Sequence, residues 1–250
     1  MPAWLTFTVL AVAGFAAALI NTLAGGGSFL TLPLLIFLGL PAAEANGTNR
    51  LGVVAQNVAA VWGFHRAGVL DWRYALRASV VPIAGSVVGA WLALQVGDRE
   101  FRRILALLMV AVTLWTLLAP AVTRRATIGE GGIRPRPGVA FWTFLAAGLY
   151  GGFVQAGVGF LILAATTFAG LDLVRGNAVK VVVVFLVTVV ALGLFAWEGK
   201  VRWGEGLALA AGSVAGSLVG VRLAVVKGDR WLQGVVALAA VVFAVKLWFQ

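Results

Sequence analysis

The sequence predicts an all-α polytopic membrane protein built from two homologous helical repeats. The first observation is composition: 62% of the 250 residues are hydrophobic and only 11% are charged, whereas a soluble domain carries about 25% charged residues. The second is a series of apolar runs, each close to the length of about 20 residues that a membrane-spanning helix needs. A soluble all-helical protein would need polar helix faces, which the stretch 178–196 almost entirely lacks.

The third observation is an internal repeat. A shift of 131 residues, without a gap, gives 27 identities over the 84 positions from 24 to 107. The matches include polar and glycine positions, such as Asn46 with Asn177 and Gly68 with Gly199. Internal repeats of this kind are typical of secondary transporters. Five crossing segments per half would make the repeats inverted, and a re-entrant short segment would make them parallel. The sequence leaves both arrangements open.

Each half is predicted to contain one short segment among longer apolar ones, which gives about 8–10 membrane segments in total. The short segment is expected to be broken or re-entrant, because about 12 residues rise only about 18 Å against a hydrocarbon core of about 30 Å. Pro33 weakens the first short segment further, and Asp98 is the predicted N-cap of the fifth segment. The predicted segments are 4–22, 29–40, 45–64, 72–96 and 98–119, then 139–156, 159–170, 176–197, 203–227 and 230–249.

A polar linker divides the chain into its two repeats. We expect residues 1–119 to form the first membrane repeat, 120–138 the linker and 139–250 the second repeat. The linker contains prolines, glycines and four arginines, which is typical of a connector and not of a folded domain. Its arginines place it on the cytoplasmic side under the positive-inside rule.

Charge and residue usage exclude several classes of function. The net charge is +10, but the basic residues are scattered at helix ends, which favours contact with the lipid bilayer over nucleic acid. The chain has no cysteine and a single histidine, His65, so it cannot build a thiolate or histidine metal cluster. We therefore predict no metal and no cofactor. The sequence also shows no convincing acid–base pair, so we predict no catalytic residues and no enzyme activity.

Two glycine-rich breaks stand out within the apolar sequence. Residues 25–27 are three consecutive glycines, and Gly157 and Gly159 follow in the second repeat. Each glycine costs about 1 kcal/mol in a helix interior, so we expect the helix to break there. Freed backbone groups at membrane depth must be buried in protein or line a watery cavity. Asn21 and Gln155 precede the two breaks, where each side chain would either bind substrate or satisfy the freed backbone.

A polar stripe follows each break. Asn46, Asn49, Arg50 and Asn57 lie at offsets of 0, 3, 4 and 11, which places them on one helical face. The second repeat carries Asn177, Lys180 and Thr188 at offsets of 0, 3 and 11. Such faces normally line a bundle interior or a watery cavity. The alternatives are that Arg50 and Lys180 snorkel to headgroups and that Asn46 and Asn177 are simple N-caps.

The local chemistry of the breaks and stripes favours an anion. A helix N-terminus carries partial positive charge, two basic residues lie nearby in sequence, and the acidic residues all lie near predicted helix ends. The candidate substrate-binding residues, all from the breaks and stripes, are Asn21, Gly25, Gly26, Gly27, Ser28, Asn46, Asn49, Arg50, Asn57, Gln155, Gly157, Gly159, Asn177 and Lys180.

Other glycines and the tryptophans have structural explanations. Gly212, Gly216 and Gly220 recur at spacings of four residues, which predicts close packing of one helix on another. The tryptophans cluster near predicted helix ends, where indole rings anchor at the membrane interface. Those near helix ends include Trp4, Trp72, Trp142, Trp203 and Trp231.

In these motifs the sequence resembles the TauE/SafE family, the sulfite exporter-like group of membrane proteins. The resemblance depends on the glycine run and short segment at 25–35, the helix start at 45–49, and their echo from 157 to 180. It implies a small transporter of two related halves, in the plasma membrane of a bacterium or archaeon, that exports sulfite, sulfoacetate or another organosulfonate. The second repeat departs from the pattern: Val158 interrupts its glycines, and Lys180 replaces the amide of Asn49.

The sequence therefore predicts a secondary transporter that exports a small anion by alternating access between its halves. Two alternatives remain at this point: a non-transporting membrane scaffold or assembly protein, and a transporter of another small anion such as a carboxylate. The expected partners are the anionic substrate and the lipid bilayer. The sequence leaves open the coupling ion and the oligomeric state, a homo-oligomer included.

Overall fold

The computed structural model describes residues 2–23, 25–105, 107, 111 and 137–248, with side chains placed up to residue 227. Every element within these ranges is a helix. Residues 120–136 of the predicted linker and the end of the fifth predicted segment lie outside the described residues, whereas residues 137 and 138, predicted as the end of the linker, begin a helix. The helices are α1 (Ala3–Leu23), α2 (Ser28–Phe37), α3 (Ala42–Arg66), α4 (Trp72–Gln95), α5 (98–105), α6 (Pro137–Phe153), α7 (Val158–Phe168), α8 (Leu173–Trp197) and α9 (Trp203–Trp248).

The two short helices lie where the sequence predicts short segments. α2 has 10 residues and α7 has 11, so they rise only about 15 and 17 Å. Pro33 lies inside α2 without ending it, although it lacks the N–H group of one backbone hydrogen bond. Glycines precede both helices, and the described side chains provide no N-terminal cap to either one.

Two of the predicted boundaries are wrong. Asp98 is the first residue of α5 and not its N-cap, and its carboxylate instead accepts a hydrogen bond from the backbone N–H of Ala42 at the start of α3. The predicted break at 228–229 is absent, because α9 runs continuously for 46 residues. One glycine costs about 1 kcal/mol in a helix interior, which is too little to end a helix of this length.

The helices form two bundles, and each bundle contains one helix from the other half of the sequence. α9, from the second half, packs on α1 and α3 of the first half, while α4 packs on α6 and α8 of the second. We call α1, α2, α3 and α9 the first bundle, and α6, α7, α8 and α4 the second bundle. α3 and α8 pack against each other where the bundles meet.

Small residues bring the exchanged helix close to its neighbours in both bundles. The Cβ positions of Gly212 and Gly216 on α9 fall against the backbone carbonyl groups of Ala11 and Phe15 on α1. In the second bundle, the Cβ position of Gly89 on α4 falls against the backbone of α6. Any side chain there would force the helices apart. The predicted packing role of the glycine stripe is confirmed.

The central helices α3 and α8 run in opposite directions. The start of α3 lies beside the end of α8, because Arg202 Nε donates to Glu44 Oε2 at 3.0 Å and the backbone N–H of Arg202 donates to Thr48 Oγ1 at 2.9 Å. At the other end, Val69 and Leu70 share an apolar cluster with Leu173. This one pair of helices related by the 131-residue shift is therefore antiparallel, as inverted-topology repeats require.

Four of the described helices are long and apolar enough to span a membrane. They are α1, α4, α8 and the first 25 residues of α9, Trp203–Lys227. α3 has spanning length but carries the polar stripe, and α2 and α7 are too short. Large apolar side chains remain exposed on the outer faces of the bundles, Trp4, Trp142 and Trp203 among them, which is typical of a lipid-facing surface.

Candidate functional site

The two glycine breaks touch each other where the bundles meet. Gly25 has φ of 106°, and a Cβ atom added to it would lie 2.5 Å from the carbonyl carbon of Gly159. A Cβ on Gly159 would lie equally close to the Cα of Gly25. Only glycine combines this positive φ with such a close approach of two backbones. The breaks therefore form one central crossing and not two separate sites.

Lys180 of the second bundle holds the broken end of α1 in the first bundle. Its ammonium group donates to the carbonyl oxygens of Asn21 at 2.9 Å and Thr22 at 3.2 Å. These carbonyls belong to the last turn of α1, where helical partners are missing and the helix dipole is negative. Lys180 is only 2% exposed.

Arg50 of the first bundle holds the broken end of α6 in the same way. One guanidinium nitrogen donates to the carbonyl oxygen of Gly151 at 3.0 Å and to Gln155 Oε1 at 2.9 Å, and the other donates to the carbonyl oxygen of Gly152 at 2.5 Å. The guanidinium also lies 4.8 Å from the centre of the Phe195 ring. The alternative that Arg50 and Lys180 snorkel to headgroups does not hold, because both side chains are buried.

The two asparagines of the stripes complete these contacts symmetrically. Asn46 Nδ2 donates to the carbonyl oxygen of Phe153, and Asn177 Nδ2 donates to that of Thr22, each at 2.7 Å. The 131-residue shift relates the two donors, Asn46 and Asn177, and also the two acceptors, Thr22 and Phe153. Neither asparagine is an N-cap, since α3 follows Pro41 and α8 follows Asp172. We call these contacts the crossed clamps, because each bundle caps a broken helix of the other.

The crossed clamps bury two positive charges without a matching carboxylate. The three ion pairs among the described residues all lie at helix ends and involve Arg102, Arg175 and Arg202. Arg50 and Lys180 contact only neutral acceptors. A buried charge without a counter-ion is costly. The charges of Arg50 and Lys180 are therefore offset only by the partial negative charges of oxygen acceptors at the two broken helix ends.

A small polar cavity lies within the first bundle, beside the start of α2. Its volume is about 10 Å³, which is about the space of one water molecule. Thr31 Oγ1 donates to Asn49 Oδ1 at 2.5 Å, while Asn49 Nδ2 is buried without a partner among the described residues. Its lining, which contains no charged side chain, consists of Ala17, Ser28, Thr31, Asn49, Gly52, Val53, Gln56, Leu209 and Ser213.

The equivalent position in the second bundle is apolar and filled. The shift of 131 residues places Ile162 where the first bundle has Thr31, Val183 where it has Gly52, and Val187 where it has Gln56. All three side chains are buried in one apolar cluster. The two halves therefore share the crossed clamps but not the cavity.

Most of the predicted site residues lie close together in the structure, but they make different kinds of contact. Ser28 and Asn49 line the cavity, and Gly25 and Gly159 form the crossing. The other glycines of the two breaks, at 26, 27 and 157, are buried beside them in the chain. Asn21 contributes its carbonyl oxygen, and Gln155 accepts from Arg50. Asn57 is not part of this arrangement, because its Nδ2 donates to the carbonyl oxygen of Val53 in its own helix.

Four polar residues that line the cavity or extend it are absent from the predicted site: Thr31, Gln56, Ser213 and Ser217. Thr31 lies three residues after Ser28 on the same face of α2, so its spacing is a usable signal. Ser213 and Ser217 come from α9, and nothing local connects them to the glycine run. Ser217 Oγ donates to the carbonyl oxygen of Gln56 at 2.6 Å, and the Thr22 hydroxyl donates to Ser217 at 3.2 Å. This chain connects the cavity wall to the clamp of Lys180.

Comparisons with known proteins agree with this picture. The model of the family described as "Sulfite exporter TauE/SafE" matches residues 10–247. The probable membrane transporter protein ORF9 of a Sinorhizobium species is 30% identical over 97% of this chain and 94% of its own length. A probable membrane transporter protein of Haemophilus influenzae is 27% identical over 97% of this chain and 96% of its own.

The probable membrane transporter protein YfcA of Escherichia coli K12 is 29% identical over 98% of this chain and 88% of its own length. No solved structure matches the chain. With four helices able to span a membrane, these matches make the protein an integral protein of the bacterial plasma membrane. Because the family model covers nearly the whole chain, the chain belongs to the TauE/SafE family of membrane transporters.

Proposed function

We propose that the protein is a secondary transporter that exports a small oxyanion, and that the oxyanion carries sulfur, as sulfite and organosulfonates do. The observation that carries this proposal is the cavity beside α2, where the unpartnered Nδ2 of Asn49 meets the hydroxyl groups of Ser28 and Thr31. The cavity has polar groups but no acidic side chain in its lining. Such a site suits an anion and offers a cation no carboxylate.

The electrostatics around the cavity also favour an anion. The cavity lies at the N-terminus of α2, where the helix dipole is positive and no described side chain caps the backbone. Arg50 follows Asn49 on α3, and Lys180 is bonded to Thr22, whose hydroxyl connects to the cavity wall through Ser217. Two buried cations without carboxylate partners favour negative charge nearby.

The volume of the cavity sets a condition for binding of sulfite. At about 10 Å³ the cavity holds about one water molecule, so a sulfite ion enters only after the helices around it separate. The packing also bears on which parts of the protein would move, which the sequence predicted to be the two halves of the chain. Because α4 and α9 are exchanged, the two bundles, and not the two sequence halves, are the rigid units that would rock against each other at the Gly25–Gly159 crossing.

The sulfur-containing substrate is supported by the family description, "Sulfite exporter TauE/SafE". The direction is supported by energetics: an inside-negative membrane favours exit of an anion by about 2.3 kcal/mol per charge per 100 mV. Export of such an anion therefore needs no coupled ion.

Reconstituted protein tests the proposal directly. Proteoliposomes should transport radiolabelled sulfite or methanesulfonate, and an inside-negative potential should accelerate exit. Gly26→Leu should abolish transport while the protein still inserts, because a large side chain would disrupt the buried break. Gly193→Leu is the matched control, because the space around Gly193 in the described structure is open.

Absence of transport for every anion tested would support a membrane scaffold instead. Transport of acetate with no response to sulfite or sulfonates would replace the substrate class with carboxylates. Wild-type rates in Gly26→Leu would remove the break from the mechanism.

A further inference from the structure

We propose that a groove on the outer surface, between α3, α4 and α8, binds an anionic phospholipid. The groove has a volume of about 290 Å³, against about 10 Å³ for the polar cavity. Its walls come from both bundles, because α3 belongs to the first and α4 and α8 to the second. The lining consists of Val58, Val61, Trp62, His65, Trp72 and Phe185. This inference does not depend on the proposed substrate.

The groove has a polar end and an apolar end. His65 and Trp72 lie beside the connector between α3 and α4, where the indole N–H of Trp72 donates to His65 Nδ1 at 3.1 Å. From there the groove continues along α3 to Val58, seven residues before His65, which is a distance of about 10 Å along the helix. A phospholipid has the same polarity, since its headgroup lies at the membrane surface and its acyl chains fill the hydrocarbon core.

Positive charge lies at the polar end of the groove. The Arg66 guanidinium lies 4.9 Å from the centre of the Trp62 ring, and Trp62 lines the groove. Arg73 and Arg77 follow on the first two turns of α4, and both are exposed. None of these three arginines forms an ion pair with another described residue. Arginines without carboxylate partners suit the phosphate group of a lipid.

His65 adds a hydrogen-bond donor at the same end. An indole nitrogen only donates, so the ring nitrogen of His65 that it contacts carries no proton. A neutral imidazole then carries its proton on Nε2, which has no partner among the described residues. The one acidic side chain of the connector, Asp71, accepts from the backbone N–H of Tyr74 at 3.0 Å and caps α4. The polar end therefore offers both donors and positive charge.

The polar end lies on the side of the membrane that is expected to face the cytoplasm. A Cβ added to Gly148 on α6 would meet the backbone of Pro82 on α4. Four residues further along, a Cβ on Gly152 would meet that of Ser86, so α4 and α6 run parallel. The start of α4 therefore lies on the same side as the start of α6, which follows the basic linker that the positive-inside rule places in the cytoplasm. The cytoplasmic leaflet carries anionic lipids that attract such basic segments.

The related positions in the second half of the chain lack this combination. The shift of 131 residues places Gly193 where the groove has Trp62. The positions related to the histidine and the three arginines carry no basic side chain, and they are Ala196, Trp197, Gly204 and Ala208. Because α3 and α8 are antiparallel, these positions lie at the opposite end of the bundle. The basic groove is therefore a feature of one membrane surface.

The test is a lipid titration of purified, delipidated full-length protein, with native mass spectrometry to detect each bound lipid. Dioleoylphosphatidylglycerol should bind more tightly than dioleoylphosphatidylcholine, which has the same acyl chains but no net charge. Glycerol 3-phosphate, which has the phosphate but no acyl chain, should not displace the anionic lipid. These three probes separate the contribution of the headgroup from that of the chains.

Two arginine variants test the charge at the rim. Arg66→Gln should raise the dissociation constant for the anionic lipid about fivefold and leave that for the zwitterionic lipid unchanged. Arg99→Gln is the matched control, because Arg99 is exposed and has no ion pair with another described residue. It follows Asp98, which contacts the opposite end of α3. The control should change neither dissociation constant.

Val58→Trp tests the groove itself. Val58 is 52% exposed, so a larger side chain there fills the groove without entering the core. It should weaken binding of both lipids several-fold, whereas Val12→Trp, at a position 65% exposed on α1, should not.

Several outcomes would overturn the phospholipid site. These are equal affinity of the wild-type protein for both lipids, displacement by glycerol 3-phosphate, unchanged binding of the anionic lipid in Arg66→Gln or Val58→Trp, and an equal loss in Arg99→Gln. A dimer that forms without lipid and excludes it would also overturn the proposal, because the groove would then hold a second copy of the chain.

Discussion

The two bundles have the same plan but different interiors. Each contains a broken helix, a short helix, a central helix with a polar stripe and one helix contributed by the other half. The first bundle encloses a polar cavity between Thr31, Asn49 and Gln56. The second fills that position with Ile162 and a series of buried valines. The shared elements therefore form the framework, whereas the cavity that we propose as the binding site lies in one bundle only.

The crossing of the glycines is shared by both bundles, so its disruption should have the largest effect. Gly25→Val introduces a branched side chain at φ of 106° and places its Cβ 2.5 Å from the backbone of Gly159. We expect loss of folded protein, measured by size-exclusion chromatography after extraction. Gly39→Val is the control, since Gly39 has φ of 95° but open space around its Cβ in the described structure; it should cost only about 1–2 kcal/mol in strain. Equal loss in both variants would mean that the close approach is unimportant.

The crossed clamps differ in strength between the bundles. Arg50 donates three hydrogen bonds and stacks on Phe195, whereas Lys180 donates two. With about 1–3 kcal/mol for each buried group left unsatisfied, Arg50→Gln should lower the melting temperature more than Lys180→Gln. A larger loss for the lysine variant would reverse this ranking.

Lys180→Gln should also weaken binding of the anion, because it removes one of the two buried positive charges near the cavity. The dissociation constant for sulfite, measured by thermal stabilisation, should rise by less than in Asn49→Asp, since Lys180 does not line the cavity. An unchanged dissociation constant would limit Lys180 to capping α1.

Exchanging polarity at the related positions tests whether only one bundle binds. Gln56→Val should reduce transport several-fold with little change in stability, because it removes a polar group from the cavity wall. Val187→Gln should instead destabilise the protein by about 1–3 kcal/mol without changing transport, since it buries an unsatisfied amide. Loss of transport in the second variant would indicate that both bundles take part.

The smallest effect is expected at the edge of the cavity. The Ser213 hydroxyl already donates to the carbonyl oxygen of Gly14 at 3.3 Å, so it has no proton to offer an anion. Ser213→Ala should change the affinity for sulfite by less than about threefold, within the range of one weak hydrogen bond. A tenfold loss would show that this serine turns toward the substrate.

Much of the framework could be predicted from the sequence, because it depends on local composition and on the repeat. The short helices follow from their glycines, and the stripe of Gly212, Gly216 and Gly220 correctly indicates close helix packing. The polar stripes predicted an interior position for Arg50 and Lys180, but their partners could not be predicted, since these include backbone carbonyls more than 100 positions away in the chain. Every residue type has a backbone carbonyl group, so the sequence does not show which carbonyl groups accept these hydrogen bonds.

The exchange of α4 and α9 could not be predicted for a related reason. The sequence shows which segments resemble each other, and resemblance suggested two self-contained halves. Packing instead places Ser213 of the second half in the cavity of the first. Similarity between two segments of the sequence does not determine which helices pack together. The contacts between helices depend on which apolar faces meet in three dimensions.

The exchange of α9 also affects the order in which contacts form while the chain is synthesised. α1 closes against α9 through contacts such as that between Gly14 and Ser213, which are 199 positions apart. Synthesis at about 5–20 residues per second separates the emergence of these two positions by about 10–40 s. During that interval α1, α2 and α3 lack two of their later contacts. Lys180 has not yet capped α1, and the glycines of α9 have not yet packed against it. Newly made chains therefore depend on lipid, or on the insertion machinery, to shield the polar stripe of α3 until the last helix arrives.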